Sequence, residues 1–175
     1  NRTAQNLKRG RIMAQEIRTQ TRQDRAEFAR YVYGLLMERS KMPQLARLGA
    51  AASALETGWG RYVAGNNLFG IKPAGAQSHA PGRPEIRAYA DPAQSVNSWV
   101  YLATESSLYE EPRERLIKHL AALQERGDHP DVYRAAWECW FLDFAKIYCP
   151  ANPKYGETVL GIAREQDAMR EEGRG

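Results

Sequence analysis

Cysteine and histidine are scarce in this 175-residue chain: two cysteines, Cys139 and Cys149, and three scattered histidines, His79, His119 and His129. Two thiols are too few for a disulfide framework, and these residues lack metal-ligand spacing, so no metal or cofactor is expected. Whether the two cysteines pair stays open. Long apolar runs are missing as well; none approaches the ~18 residues that span a bilayer, and no membrane span is expected. Phosphate-cradling glycine motifs and nucleophile elbows are absent. So is a leader pattern, although a chain that opens at Asn1 rather than Met is uninformative on that point. Acid is rare in one stretch above all: between Thr57 and Ala90 the only acidic residue is Glu85.

What is present is a globular composition, 43% hydrophobic, sufficient for one domain with a proper core. The net charge is +4, and most of the excess lies near the N-terminus. Residues 1–24 read as a basic helical arm preceding a domain over 25–175. A solvated helix face accounts for such an arm. A protein partner or an anionic polymer such as cell wall could also meet it, whereas nucleic acid is not expected.

The pattern is mostly helical. Phe28, Tyr31, Val32, Leu35 and Leu36 fall at helical spacing from Arg25 onward, and Pro43 opens a second helix that runs to about Glu56. Glycine and proline then crowd the chain up to Asp91, with "EIRAY" alternating like a strand and "LFGIK" as its expected hairpin partner. Asp91, Pro92 and Gln94 form an N-cap, a first helical residue and a loose capping box. Apolar stripes follow at Val96, Trp99, Val100 and Ala103, at Leu116, Ile117, Leu120 and Leu123, and at Val132, Ala136, Trp137, Trp140 and Phe144. A last helix starts at about Tyr155. The fold class is therefore mainly α (α+β), one α-rich domain with a small β-hairpin inserted after its second or third helix.

One carboxylate stands out in "ALETGWGR". At about 100° per residue, Leu45, Gly49, Ala52 and Glu56 share one face of the second helix, the face that buries. Glu56 also occupies the last turn, where the helix dipole is negative. Burial and dipole both disfavour the ionised form and raise the pKa, which suits a general acid. Trp59 would supply an apolar wall or a platform for a sugar ring. The competing reading is that Glu56 pairs with Arg61 and merely closes the helix.

The run "AAASALETGWGR", then "GNNLFGIK", then "EIRAYADPAQSVNSWVYL" resembles the glucosaminidase domain of bacterial peptidoglycan hydrolases. That family includes the catalytic half of the flagellar rod-assembly muramidase and various autolysins. The short hairpin and "EIRAYADP" look closer to its Bax-type branch. The resemblance covers roughly residues 25–165 and continues through "LYEEPRERL" and "FAKIYCPANPKY". It implies a lysozyme-like helical lobe, a small β-hairpin lobe and a cleft between them that holds the glycan strand. It further implies cleavage of peptidoglycan after N-acetylglucosamine, with Glu56 as proton donor. The second acidic residue that the family usually takes from its hairpin can only be Glu85.

By the same resemblance Tyr148 borders the active site as a candidate catalytic residue, and Tyr155, a candidate for substrate binding, is kept in "YCPANPKY", where the acidic residue usual in that segment is missing. Asn67, Phe69 and Tyr89 are candidates for lining the cleft. For Asn67 turn chemistry competes with that role, and for Phe69 and Tyr89 core packing does. Gly70 is read as permitting close backbone approach. A carboxyl separation of about 5 Å would suit a retaining displacement and roughly 6.5 to 9.5 Å an inverting one, while a substrate-assisted route needs Glu56 alone. A non-catalytic wall-binding module, a muramidase or a lytic transglycosylase are the alternatives. The implied location is the periplasm or the exterior, reached by export, by a secretion system or in a phage particle.

Overall fold

The computed structural model describes residues 20–173; most of the basic arm, residues 1–19, lies outside them. Six α-helices and one two-stranded sheet are present among the described residues: α1 Arg22–Ser40, α2 Pro43–Thr57, β1 His79–Ala80, β2 Arg83–Arg87, α3 Pro92–Thr104, α4 Glu110–Arg126, α5 Pro130–Tyr148 and α6 Tyr155–Glu172. A 3-10 turn, Ser107–Tyr109, leads into α4. The hairpin is thus inserted directly after α2. None of these helices is long and apolar enough to cross a membrane.

α1 starts at Arg22 rather than Arg25, because Thr21 and Asp24 form a reciprocal capping box that halts fraying before the apolar stripe begins. Ion pairs from Arg22 to Glu172 at 2.8 Å and from Arg25 to Glu165 at 3.3 Å lay this first turn along α6.

The centre of the molecule is α2. Every residue from Leu45 to Ala54 is buried, and its alanines let α1 and α6 approach closely. Gly49 has a specific reason to be glycine: a β carbon there would lie 2.7 Å from the Trp99 ring and 2.8 Å from Leu36. Trp99 is fully buried, stacks on Phe69 at 5.1 Å and meets Phe144 edge-on at 5.9 Å. Burying a side chain of that size contributes about 3 kcal/mol. Arg47 is the polar exception in α2. Its buried guanidinium meets Glu138 of α5 at 3.0 Å and Asp167 of α6 at 2.8 Å, joining three helices through one cation.

Three sequence readings change. Tyr31, Ile117 and Val132, placed in apolar stripes by spacing, are exposed. "LFGIK" is not a strand, since Gly70 at φ 64° and the following Pro73 break extended geometry. β2 pairs instead with the two-residue β1 across Pro81-Gly82, where Gly82 (φ 70°) takes the left-handed position of a tight turn. Segment 68–72 still touches β2 through the Arg87 N–H, which donates to Ile71 O at 3.0 Å. The α3 cap is as expected: Asp91 accepts from Gln94 N at 2.9 Å, and the Gln94 side chain accepts from Ala90 N.

Candidate active site

Glu56 lies in the last turn of α2, half-buried, at the end of the stripe that carries Leu45, Gly49 and Ala52. The turn beyond it explains "TGWG". Gly58 caps the helix in the left-handed conformation. The Thr57 hydroxyl donates to Ser53 O at 2.6 Å and accepts from Gly60 N at 2.8 Å. Gly60 passes so close to Phe28 that a β carbon would lie 2.5 Å from its ring.

Three groups converge on the Glu56 carboxyl. Gly70, at φ 64°, brings its backbone so near that a β carbon would stand 2.7 Å from Oε2. The Tyr155 hydroxyl faces the carboxyl from the start of α6, buried and without a partner in good hydrogen-bond geometry, yet close enough to favour the carboxylate. Tyr148, at the end of α5, donates its hydroxyl to Phe69 O at 2.5 Å, and its ring lies 5.9 Å from that of Tyr155.

Burial raises the Glu56 pKa above the ordinary carboxylate value, and the Tyr155 hydroxyl offsets part of that rise. Burial, followed by the negative charge of Glu56, pushes both Tyr148 and Tyr155 upward, so both phenols keep their protons. Cys149 also acts on both tyrosines, and Tyr89 and Tyr109 act on Tyr148. Among the described residues no second carboxylate acts on Glu56, Tyr148 or Tyr155. The ion pair with Arg61 is not formed: Arg61 donates to Gly58 O and lies over the Tyr62 ring.

Asn67 is buried, and its amide is fully engaged. Nδ2 donates to Ile71 O at 2.8 Å and to Arg87 O at 3.0 Å, while Oδ1 accepts from Phe69 N and Ile71 N, both at 3.1 Å. It therefore shapes the loop that presses Gly70 against Glu56, in line with the turn reading. Phe69 is fully buried on Trp99, and its carbonyl rather than its ring serves the site. The Trp59 ring is buried among Ala29, Ala54 and Met169 with Arg25 over it at 5.4 Å. Its surface is taken up between α1 and α6.

Tyr89 is buried at the foot of β2 under the Arg87 guanidinium, 4.6 Å above its ring, and its hydroxyl has no hydrogen-bond partner among the described residues. Glu85 sits on the exposed face of β2, joined to Arg83, whose hydrogen bond holds its carboxyl below the ordinary range. Among the described residues, no hydrogen bond or charge interaction joins it to Glu56. Tyr109, stacked on Phe144 at 4.5 Å, and Arg87 lie inside "LYEEPRERL" and "EIRAY", but neither is singled out there as a site candidate. Their places depend on contacts between distant elements.

Cys139 and Cys149 are both free thiols, and no group of three or more His, Cys, Asp or Glu among the described residues could hold a metal ion. A groove of about 340 Å³ between α1 and α6, lined by Ala26, Ala29, Tyr33 and Met169, shares no residue with the Glu56 cluster.

A family model, Glucosaminidase, described as mannosyl-glycoprotein endo-beta-N-acetylglucosaminidase, matches residues 35–168. No curated protein matches the chain. The matched span contains Glu56, Asn67, Gly70, Glu85, Tyr89, Tyr148 and Tyr155.

Proposed function

The chain belongs to the glucosaminidase family of glycoside hydrolases, and from that premise we propose that it is an endo-β-N-acetylglucosaminidase of peptidoglycan with Glu56 as general acid. The observation that carries this reading is the Glu56 carboxyl itself, half-buried between Gly70 and Tyr155 and raised in pKa by that burial. A carboxyl in such a place is protonated at pH values where a surface glutamate is not, so it can protonate a glycosidic oxygen as the bond to the anomeric carbon breaks. The leaving sugar departs as an alcohol, and Glu56 is left as a carboxylate that the Tyr155 hydroxyl stabilises. Water, attacking directly or after the substrate's own acetamido group, closes the cycle and returns a proton to Glu56.

Tyr148 supports the site differently. Its proton is committed to Phe69 O, so it braces the loop behind Gly70. The family description names a glycoprotein glycan. The wall polymer is preferred here because "ALETGWGR", "NNLFGIK" and "EIRAYADP" resemble bacterial wall hydrolases, and both polymers present a β-linked N-acetylglucosamine. Action on the wall places the protein in the periplasm or outside the cell, by export or by delivery through a secretion system or phage particle.

The test is digestion of purified murein sacculi, with mass spectrometry of the products. Reducing N-acetylglucosamine ends from the wild type, and none from Glu56→Gln, are expected. Reducing muramic ends would make it a muramidase, and anhydro-muramic ends a lytic transglycosylase. An inert wild type that still binds sacculi would make it a wall-binding module.

A further inference from the structure

The rim of the Glu56 site is short of acid. Residues 58–90 hold Arg61, Lys72, Arg83 and Arg87 against Glu85 alone, and Glu85 is engaged by Arg83. Arg61, Lys72 and Arg87 have no carboxylate partner among the described residues, although arginines elsewhere such as Arg22, Arg47, Arg134 and Arg164 each meet one.

Arg87 is the best placed of the three. Its N–H donates to Ile71 O, and its carbonyl accepts from Asn67, so its backbone is fastened to the residue that follows Gly70. Its guanidinium rests 4.6 Å over the Tyr89 ring, and the Tyr89 hydroxyl beneath is buried without a hydrogen-bond partner among the described residues. Lys72 is exposed one residue beyond Ile71. Arg61 follows the α2 cap, donating to Gly58 O and lying over the ring of Tyr62, which is 64% exposed.

A guanidinium without a carboxylate partner, stacked on an aromatic ring, is suited to a planar carboxylate. We propose that Arg87, together with Lys72 and Arg61, the other cations of residues 58–90 without a carboxylate partner, binds carboxylates of the peptide stems on the glycan strand, so that the enzyme selects peptide-bearing over charge-neutralised or stripped strands. The inference rests on the peptidoglycan reading above. It adds that charge on the stems, and not the sugar alone, sets which strands are cut.

The experiment compares kcat/KM on three forms of one sacculus preparation. One form is untreated. In the second, the carboxylates have been amidated with carbodiimide and ammonia. The third has been stripped by an amidase, which leaves only the lactyl carboxylate of muramic acid. Untreated sacculi are expected to be cut about ten-fold faster than either other form, the scale of one charge-assisted hydrogen bond. In Arg87→Gln that ratio should fall toward one, and in Arg87→Lys part of it should remain. The ratio is taken within each variant, so a loss of folded protein cancels.

Equal cutting of untreated and amidated sacculi overturns the proposal, as does an unchanged ratio in Arg87→Gln. Full-speed cutting of stripped strands would move the recognised charge to the lactyl group and overturn the stem assignment. If the wild type cuts none of the three, it is the peptidoglycan reading that fails.

Discussion

Gly70 turns its α carbon to the carboxyl of Glu56, and nothing larger than hydrogen fits between them: a β carbon would stand 2.7 Å from Oε2. Gly70→Ala should therefore disturb the carboxyl directly as well as strain the backbone at φ 64°. Strain alone is worth roughly 1–2 kcal/mol. Gly127→Ala provides the control, since Gly127 has φ 67° and a methyl added there would meet no atom within 4 Å. Both variants should lose similar stability in urea titrations. Only Gly70→Ala should lose activity on sacculi, by about ten-fold or more, because a displaced acid no longer meets the glycosidic oxygen. Equal activity in the two variants would show that the Gly70 contact is without consequence.

The raised pKa of Glu56 predicts a stability that depends on pH in a defined direction. Burial opposes the carboxylate, so the folded state binds the proton more tightly than the unfolded chain does. The stability associated with the protonated acid is complete below the ordinary value of 4.5 and is lost as pH rises through the folded value. Glu56→Gln removes that loss. The variant should match the wild type in thermal melts at acid pH and exceed it near neutrality, while its hydrolysis falls by about a hundred-fold or more. In the wild type, kcat/KM should decline with rising pH along the titration of the same group.

Much of this arrangement is legible in the chain, for reasons that differ by residue. The face shared by Leu45, Gly49, Ala52 and Glu56 follows from helix periodicity, and Asp91 and Gly127 mark helix ends through capping chemistry. The partner of β2 is not legible from alternation, because β1 has only two residues; the Pro81-Gly82 turn is its one local sign. Trp59 illustrates another limit. Its direction is set by a left-handed backbone at φ 60°, just past a helix end, which periodicity does not reach. Arg47 sits in an alanine-rich run, and its partners Glu138 and Asp167 lie far along the chain.

Asn67 holds its loop with one amide and four hydrogen bonds, two given and two received. Asn67→Ala leaves the buried groups of Phe69, Ile71 and Arg87 without these partners and should cost about 3 kcal/mol in chemical denaturation. Asn67→Asp keeps the two acceptances and loses the two donations, so it should fall between Asn67→Ala and the wild type. Because this loop also carries Gly70, both variants should lower kcat beyond what their folded fraction explains. A stability loss with unaltered kcat would confine Asn67 to a purely structural part.

Glu85 is the decisive case for the number of carboxyls in the reaction. It is ionised, as a base or nucleophile must be, but it is exposed on the hairpin and engaged by Arg83. Among the described residues, the groups that act on Glu56, Tyr148 and Tyr155 include no second carboxylate. Glu85→Gln should accordingly retain more than about a tenth of wild-type kcat, against the hundred-fold or greater loss in Glu56→Gln. Arg83→Gln, which frees the Glu85 side chain, should behave like the wild type. Losses of equal size in Glu85→Gln and Glu56→Gln would instead make Glu85 the second catalytic carboxyl and require the hairpin to close over the substrate. In that event azide, a small anionic nucleophile, should restore turnover to a Glu85→Ala variant and leave Glu56→Ala inactive on sacculi, because it can replace a base or nucleophile but not a proton donor.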